Sequence, residues 1–340
     1  MRIRTTVAAC AGLLLVGSLA APAEAAAGAG ARAKRPVVLP MLAGGAGYAH
    51  AVNNNGDIVG TSKVASGAYH AVLWSGGRVR DLGTLGGHSS QAWDIDADGR
   101  IVGSSQDAAG DSHAVMWDNG NIIDLGLLDG IAADARSISN GVVVGTRNAF
   151  DSFHGRRAFV LRDGVSVDID VPPGATADGV NDSGAVVGTF GFYDYGHPDF
   201  PYHQAFVWRD GVATKLGTLG GPGSVGTAIN TFGQAVGLAD DANGELLPFF
   251  WDGTTLRPLA APATQTVTPT SINRSGAIAG SNGSTDRAVV WSSPTAAPVA
   301  LPLPGGSVGS HAGDINDAGT VVGSANYLGP SYHSRPVVWR

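Results

Sequence analysis

Cysteine, charge and basic clusters are all scarce in this sequence of 340 residues. The chain has a single cysteine, Cys10, so no intrachain disulfide can form and stability must come from packing and strand pairing. Charged residues make up only 14%, and the formal net charge is −7. No stretch gathers Lys and Arg into a basic patch. Because phosphate binding needs such clusters, the sequence argues against a nucleic acid partner.

Long apolar runs are also missing, except at the N-terminus. Arg2 and Arg4 precede an apolar segment at residues 7–21, and Ala23-Glu24-Ala25 offers small residues at the spacing of a cleavage site. This arrangement is typical of an export signal. We therefore predict a signal peptide over residues 1–26 and a secreted, extracellular protein with no membrane span after signal removal. A retained N-terminal anchor is the alternative.

Glycine is abundant, at 51 residues, and it marks a phrase that recurs seven times. DINDAGTVVGS at residues 314–324 is one version, and VNNNGDIVGT at residues 52–61 is another. The glycines that end the phrase lie 43, 42, 43, 49, 43 and 43 residues apart. A period of about 42 residues is typical of four-stranded propeller blades. These glycines are Gly60, Gly103, Gly145, Gly188, Gly237, Gly280 and Gly323.

Each repeat reads as four short strands. In the second repeat they are QAWDID, RIVGSS, HAVMW and NIIDLG, separated by turn or loop residues. In every repeat a short polar residue follows the first strand, and a glycine comes two or three positions later, which predicts a tight turn. The polar residues are Asn53, Asp96, Ser139, Asn181, Asn230, Asn273 and Asn316.

The third strand ends in tryptophan in six of the seven repeats, and Leu161 stands at this position in the third repeat. A large ring at one fixed position suits packing between blades, so we interpret it as structural rather than as a ligand site. The six residues are Trp74, Trp117, Trp208, Trp251, Trp291 and Trp339.

The two ends of the repeat region predict a closed ring. The last repeat stops after its third strand at Trp339, and residues 35–42 read as a fourth strand. Pairing the two would remove the open edges of the array. We predict an all-β fold over residues 37–340, preceded by a flexible linker at 27–36. The fold is a seven-bladed β-propeller with four antiparallel strands per blade, closed by the N-terminal strand, and we expect a monomer. The alternative is an open solenoid.

The repeated motifs resemble those of a known family. DLGTLGG at residues 81–87, LGTLGG at 216–221, the INxxGxxVG phrase, and HAVLW, HAVMW and QAFVW are similar to the HAF repeat of bacterial extracellular proteins. The resemblance covers residues 37–340 and implies a secreted repeat protein. It indicates no particular reaction and supplies no catalytic residues to carry over. The histidine of the motif is replaced in four repeats, by Arg157, Leu247, Arg287 and Arg335.

One acidic segment matches the start of a calcium loop. Asp94, Asp96 and Asp98 precede Gly99, and oxygen ligands at positions 1, 3 and 5 suit a hard cation. Ser105 stands where the acidic ligand at position 12 is expected. The same segment in other repeats is a hairpin turn. We therefore expect a plain turn and no cofactor, with calcium as the alternative.

The loop between the second and third strands of the fourth repeat, residues 189–203, combines aromatic and acidic side chains. Loops on a rigid scaffold often carry function, and aromatic rings beside carboxylates suit sugar rings or an extended chain. We predict a ligand site here; a self-packed loop is the alternative. The predicted residues are Phe190, Phe192, Tyr193, Asp194, Tyr195, His197, Asp199, Phe200, Tyr202 and His203, with Phe153 and His154 from the third repeat.

These observations favour a binding or interaction module whose ligand is a polysaccharide, a cell-wall component or a protein partner. A secreted hydrolase or lyase acting on a glycan or lactone is the alternative, with Asp194, Asp199, His197 or His203 as acid or base. A structural surface protein without a small ligand is the third hypothesis.

Overall fold

The computed structural model describes residues 34–126, 132–148, 155–172, 174–191, 203–262, 266–329 and 332–340. These residues form 28 β-strands in seven four-stranded antiparallel sheets and contain no helix. The sheets are the blades of a seven-bladed β-propeller, as predicted.

The strands of the first four blades follow the repeats in order. Blade 1 has β2 (Gly47–Val52), β3 (Ile58–Lys63), β4 (Tyr69–Ser75) and β5 (Arg78–Asp81). Blade 2 has β6 (Gly86–Ile95), β7 (Ile101–Asp107), β8 (Ser112–Asp118) and β9 (Asn121–Gly126). Blade 3 has β10 (Ala132–Ser139), β11 (Val142–Asn148), β12 (Arg156–Arg162) and β13 (Val165–Asp168). Blade 4 has β14 (Thr176–Val180), β15 (Val186–Phe190), β16 (Gln204–Arg209) and β17 (Val212–Lys215).

The remaining strands complete the ring. Blade 5 has β18 (Gly220–Ile229), β19 (Ala235–Asp241), β20 (Leu246–Trp251) and β21 (Leu256–Pro258). Blade 6 has β22 (Val267–Ile272), β23 (Ile278–Asn282), β24 (Arg287–Trp291) and β25 (Val299–Ala300). Blade 7 has β26 (Ser307–Ile315), β27 (Val321–Tyr327), β28 (His333–Trp339) and the N-terminal β1 (Pro36–Val38).

Strand β1 closes the ring by pairing antiparallel with β28, so the predicted closure is confirmed. Val37 lies opposite Val338, and hydrogen bonds extend the pairing on both sides, from Arg35 N to the Arg340 carbonyl and from Leu39 N to the Pro336 carbonyl. The strand is shorter than the predicted segment at 35–42. Blade 7 therefore has the same four-stranded width as the other six, and it joins the N-terminal strand to the C-terminal strands in one sheet.

The core lies between adjacent blades rather than in the centre of the ring. One cluster joins Ala51 and Val59 of blade 1 to Ile95, Ile101 and Trp117 of blade 2. Equivalent clusters occupy the other interfaces between neighbouring blades. Each sheet therefore buries both of its faces, which explains why Trp117 is almost completely buried.

The glycine that ends each repeated phrase lies on the second strand, opposite the residue that precedes the β-bulge of the first strand. A Cβ atom on Gly103 would lie 1.9 Å from the Gln91 carbonyl oxygen, and one on Gly60 would lie 2.0 Å from the Tyr48 carbonyl oxygen. Contacts this short are not tolerated by real Cβ atoms. The repeated glycine is therefore a requirement of close backbone approach.

In six blades the polar residue after the first strand closes the predicted turn with its side chain, whereas in blade 3 the Ser139 hydroxyl donates to Asp182 of the next blade. In blade 1, the Asn53 side-chain oxygen accepts hydrogen bonds from the amides of Asn55 and Asp57, and Gly56 has a φ of 84°. We call the end of the ring with these turns the turn face. The opposite end, with the loops between second and third strands and the segments that cross between blades, is the loop face.

Candidate functional site

The first strands of the seven blades surround a central channel, and each strand has a β-bulge at the same place. In blade 1 the register shifts between Ala49 and Ala51, which leaves His50 as the extra residue. A bulge bends the strand and redirects a side chain. Here the bulged residues all line one cavity in the channel: His50, Trp93, Arg136, Asp178, Thr227, Thr270 and Gly313.

The bulged residues divide the channel into two unlike walls. Blades 1 to 4 contribute the large or charged side chains, and blades 5 to 7 contribute two threonines and a glycine. The small residues leave a cavity of about 580 Å³ on the loop-face side. This volume lies within the range of small-ligand sites, roughly 300–1,000 Å³. We call this cavity the channel site.

Three side chains in the channel site form a stack. The rings of His50 and Trp93 lie 4.6 Å apart at 22°, and the Arg136 guanidinium lies 4.8 Å above the Trp93 ring. Asp134 holds the stack in place, because its carboxylate accepts from Trp93 Nε1 at 3.0 Å and pairs with Arg136 Nε at 3.0 Å. The terminal nitrogens of Arg136 have no hydrogen bond with any described residue, so they are available to a ligand in the cavity.

Charged groups continue beyond this stack on the same wall. Asp178 accepts a hydrogen bond of 2.6 Å from the Thr176 hydroxyl. Burial raises the pKa of Asp178, and the nearby cations Arg136 and Arg156 oppose that rise. Arg156 is exposed on β12 and forms no ion pair within the described residues. The wall therefore offers donors and an acceptor side by side.

The two histidines of the channel site are held neutral. His50 Nδ1 lies 2.7 Å from the Ala92 carbonyl oxygen, which requires the proton on Nδ1. Burial lowers the pKa of His50 and, likewise, that of His203. Both side chains line the cavity, so at neutral pH they add hydrogen-bonding capacity rather than charge.

Two carboxylates lie deeper in the channel, toward the turn face. Asp94 accepts from the Ser137 hydroxyl at 2.7 Å and from the Ile138 amide at 2.9 Å, both in the next blade. Asp314 makes matching bonds to the Ser271 hydroxyl and the Val52 amide. Burial raises the pKa of Asp94 to about 6, and it also raises the pKa of Asp314. These carboxylates therefore link neighbouring blades.

The turn residues also link the blades. The side-chain amide of Asn230 donates to the Asn273 carbonyl at 3.1 Å, and Asn273 donates in the same way to Asn316 at 2.9 Å. The side-chain amide of Asn316 donates to the Asn53 carbonyl, so this series of hydrogen bonds also joins blade 7 to blade 1. The acidic side chain of Asp96 carries no amide donor to extend the series. Most of the turn face is thus joined by one side-chain ladder.

The predicted calcium residues do not converge on one point. Asp94 faces the channel, whereas Asp96 caps its own turn and pairs with Arg100 Nε at 2.9 Å. Asp98 pairs with the same guanidinium. A cation is thus already present between two of the three carboxylates. Within the described residues, no group of three or more His, Cys, Asp or Glu side chains could hold a metal ion.

Most of the predicted loop site lies outside the described residues, namely 192–202 together with Phe153 and His154. Phe190 is buried in blade 4, with its ring 5.9 Å from that of Phe206. Lys215 Nζ lies 5.4 Å from the Phe190 ring. His203 lines the channel site. Of the predicted set, the described residues therefore place one member in the core and one at the cavity.

The bulged residues were missed in the sequence because a regular strand alternates its side chains with a period of two. A bulge adds one residue, so the side chain between two small positions turns toward the channel. One signal was present: His50, Trp93, Arg136 and Asp178 differ strongly at a position whose neighbours are small.

None of the described segments is a helix with the length and apolar character needed to cross a membrane.

Comparison with known proteins supports the fold. No protein-family model and no curated protein sequence matches the chain. The β-propeller domain of the Trilobed protease from Pyrococcus furiosus aligns with a TM-score of 0.58 and 12% identity, over 86% of this chain and 93% of that one. That domain is described as having an open velcro topology, whereas β1 closes the ring here.

Two further solved structures are similar. A puromycin-hydrolyzing peptidase from Mycobacterium tuberculosis aligns with a TM-score of 0.59 and 16% identity, over 90% of this chain and 54% of that one. Virginiamycin B lyase from Staphylococcus aureus aligns with a TM-score of 0.54 and 13% identity, over 89% and 98%. The chain spans about half the length of several of the peptidases it matches. At these identities the likeness concerns the propeller fold alone.

Proposed function

We propose that this protein is a secreted binding module that holds a saccharide segment of a polysaccharide or cell-wall glycan in the channel site. The observation that carries the proposal is the asymmetry of the seven bulged positions. Four blades present His50, Trp93, Arg136 and Asp178, while the opposite blades present small residues and leave room for a ligand. A purely structural channel would have no need of this division.

The chemistry of the wall favours a polyhydroxylated ligand. Arg136 and Arg156 supply only donors, whereas the carboxyl of Asp178 supplies acceptors. A sugar hydroxyl can both donate and accept, so neighbouring hydroxyls can satisfy both kinds of group. Thr227 and Thr270 line the facing wall. Their hydroxyls donate to backbone carbonyls, so their oxygens can still accept a hydrogen bond from a sugar hydroxyl. Arg136 is already positioned by Asp134 and Trp93, which lowers the entropy lost on binding.

The test is a glycan and cell-wall array followed by calorimetry with the best binding oligosaccharide. Thr270→Tyr should fill the open side of the cavity and abolish binding. Arg156→Gln should weaken it about tenfold, since a hydrogen bond to a charged group contributes roughly 1.5–3 kcal/mol. Arg209→Gln, on the turn face, is the matched control and should bind as the wild type does.

Binding that survives both Thr270→Tyr and Arg156→Gln would contradict the proposed location. Failure to bind any saccharide would contradict the proposed ligand class. Replacing residues 192–202 with a short Gly-Ser loop tests the sequence-based loop prediction separately and leaves buried Phe190 in place. Secretion is tested by sequencing the N-terminus of the exported protein, which should begin close to residue 27.

A hydrolase or lyase is the second candidate, because Asp178, His50 and His203 face the same cavity. A carboxyl with a raised pKa can serve as a general acid. Mass spectrometry of each bound glycan after long incubation separates the two functions. Products that disappear with Asp178→Asn, while binding remains, would favour the enzyme; an intact glycan favours the binding module.

A further inference from the structure

In six blades, the tryptophan that ends the third strand packs between its own blade and the preceding one. Trp117 packs against Leu73 and Leu82 of blade 1, and its Nε1 donates to the Leu82 carbonyl at 3.0 Å. Trp74, Trp291 and Trp339 make the same kind of bond, to Pro40, Ala260 and Pro302. These positions define a site shaped for an indole ring with one carbonyl acceptor.

Blade 3 has the same site without the ring. Leu161 takes the tryptophan position and is only partly buried, whereas Trp117 is 2% exposed. An open cleft of about 660 Å³ lies there, which we call the Leu161 cleft. Its apolar lining includes Met116, Ile123, Leu125, Val142 and Leu161. In the repeat, Met116 and Leu125 correspond to Leu73 and Leu82, which contact Trp117 in blade 2.

The polar groups at the edge of the cleft complete the comparison. Leu125 and the adjacent Gly126 correspond to Leu82 and Gly83, the part of the repeat that supplies the tryptophan's carbonyl acceptor. The guanidinium of Arg100 is held by Asp96 and Asp98. Arg162 lies exposed at the edge and forms no ion pair within the described residues.

We propose that the Leu161 cleft binds a small planar aromatic compound that carries a ring N–H donor, of the indole class. The aliphatic side chains on the floor of the cleft favour an aromatic ring, because covering them removes apolar surface from water. The occupant's shape and its single donor follow from the four tryptophans that bond to a carbonyl at the equivalent position, namely Trp74, Trp117, Trp291 and Trp339. The donor bonds to the carbonyl at Leu125 or Gly126, and the ring packs on Leu161 and Met116.

The test uses millimolar indole with the full chain, observed by ligand-detected NMR and by thermal denaturation. Wild-type protein should bind indole and unfold at a higher temperature in its presence. Benzofuran has the same ring shape but no N–H donor, so it should bind roughly two- to tenfold more weakly. Leu161→Trp should fill the cleft, raise the melting temperature without ligand and abolish indole binding.

Leu161→Ile is the matched control, because it leaves the cleft open and should still bind indole. Indole binding that persists in Leu161→Trp would overturn the assignment. Absence of indole binding to the wild type would overturn it too. Equal affinity for benzofuran would also overturn it, because it would show that the ring N–H makes no hydrogen bond in the cleft. The channel site lies elsewhere in the ring, so glycan binding by Leu161→Trp should be unchanged whatever the indole result.

Discussion

Replacing Asp94 with asparagine should change how stability depends on pH. Asp94 lies in the channel and links blade 2 to blade 3 through the Ser137 hydroxyl and the Ile138 amide. Its pKa rises from 3.8 to about 6, chiefly because burial disfavours the charged form, with a smaller contribution from the charge of Asp314. The folded state therefore binds this proton more tightly than the unfolded state does.

The sign and size of the effect follow from that shift. Stability from Asp94 is fully present below about pH 4 and is lost as the pH rises to about 6. A shift of about 2.2 units at 1.36 kcal/mol per unit gives a loss of no more than about 3 kcal/mol. Because Asp94 is only partly buried, solvent screening reduces this figure.

The assay is urea denaturation of the wild type and Asp94→Asn at intervals from pH 4.5 to pH 8. We expect the stability of the variant relative to the wild type to rise across this range and to level off above about pH 7. Asp111→Asn, at an exposed loop position, is the control and should show no such trend. A difference between Asp94→Asn and wild type that stays constant with pH would refute the reasoning.

Three further predictions concern the repeat itself. Gly103→Ala should lower the free energy of unfolding by several kcal/mol or prevent folding, because its Cβ would meet the Gln91 carbonyl. The control is Gly305→Ala, where the added Cβ has no atom within 4 Å, and thermal unfolding should show it close to neutral. Asn273→Asp keeps the side-chain oxygen that closes the turn but loses the amide that donates to the Asn316 carbonyl. Urea denaturation at neutral pH should show a free energy of unfolding lower by about 1 kcal/mol or more. An unchanged denaturation midpoint would contradict the role of the side-chain ladder. Deleting residues 34–42 removes β1 and buried Leu39, so it should lower the melting temperature of the whole ring; an unchanged value would contradict closure by β1.

Much of the architecture could be predicted from the sequence because it is encoded in local chemistry that repeats. The glycine of each phrase, the polar turn residue and the terminal tryptophan all have the same structural cause in every blade. Closure could be predicted because the last repeat lacks one strand and residues 35–42 supply one. The exception at Leu161 was visible as well, although an open cleft there follows only from the packing of blades 2 and 3.

The candidate site could not be predicted in the same way. Regular alternation hides the bulge, so His50 and Arg136 read as ordinary strand residues until the register is known. Asp94, Asp96 and Asp98 match the start of a calcium loop in sequence, although a plain turn was expected. In the structure Asp94 bonds to the next blade, and Asp96 and Asp98 pair with Arg100. Aromatic composition drew attention to residues 189–203, and of these Phe190 lies in the core.

The most direct test of the binding proposal is the indole N–H spectrum of the protein with a glycan identified in the array. The chain has seven tryptophans, and Trp93 is the one at a bulged channel position, so Trp93→Phe assigns its signal. We predict that the glycan shifts the Trp93 signal and leaves those of the tryptophans between blades in place. A bound glycan that leaves the Trp93 signal unmoved would contradict recognition in the channel site.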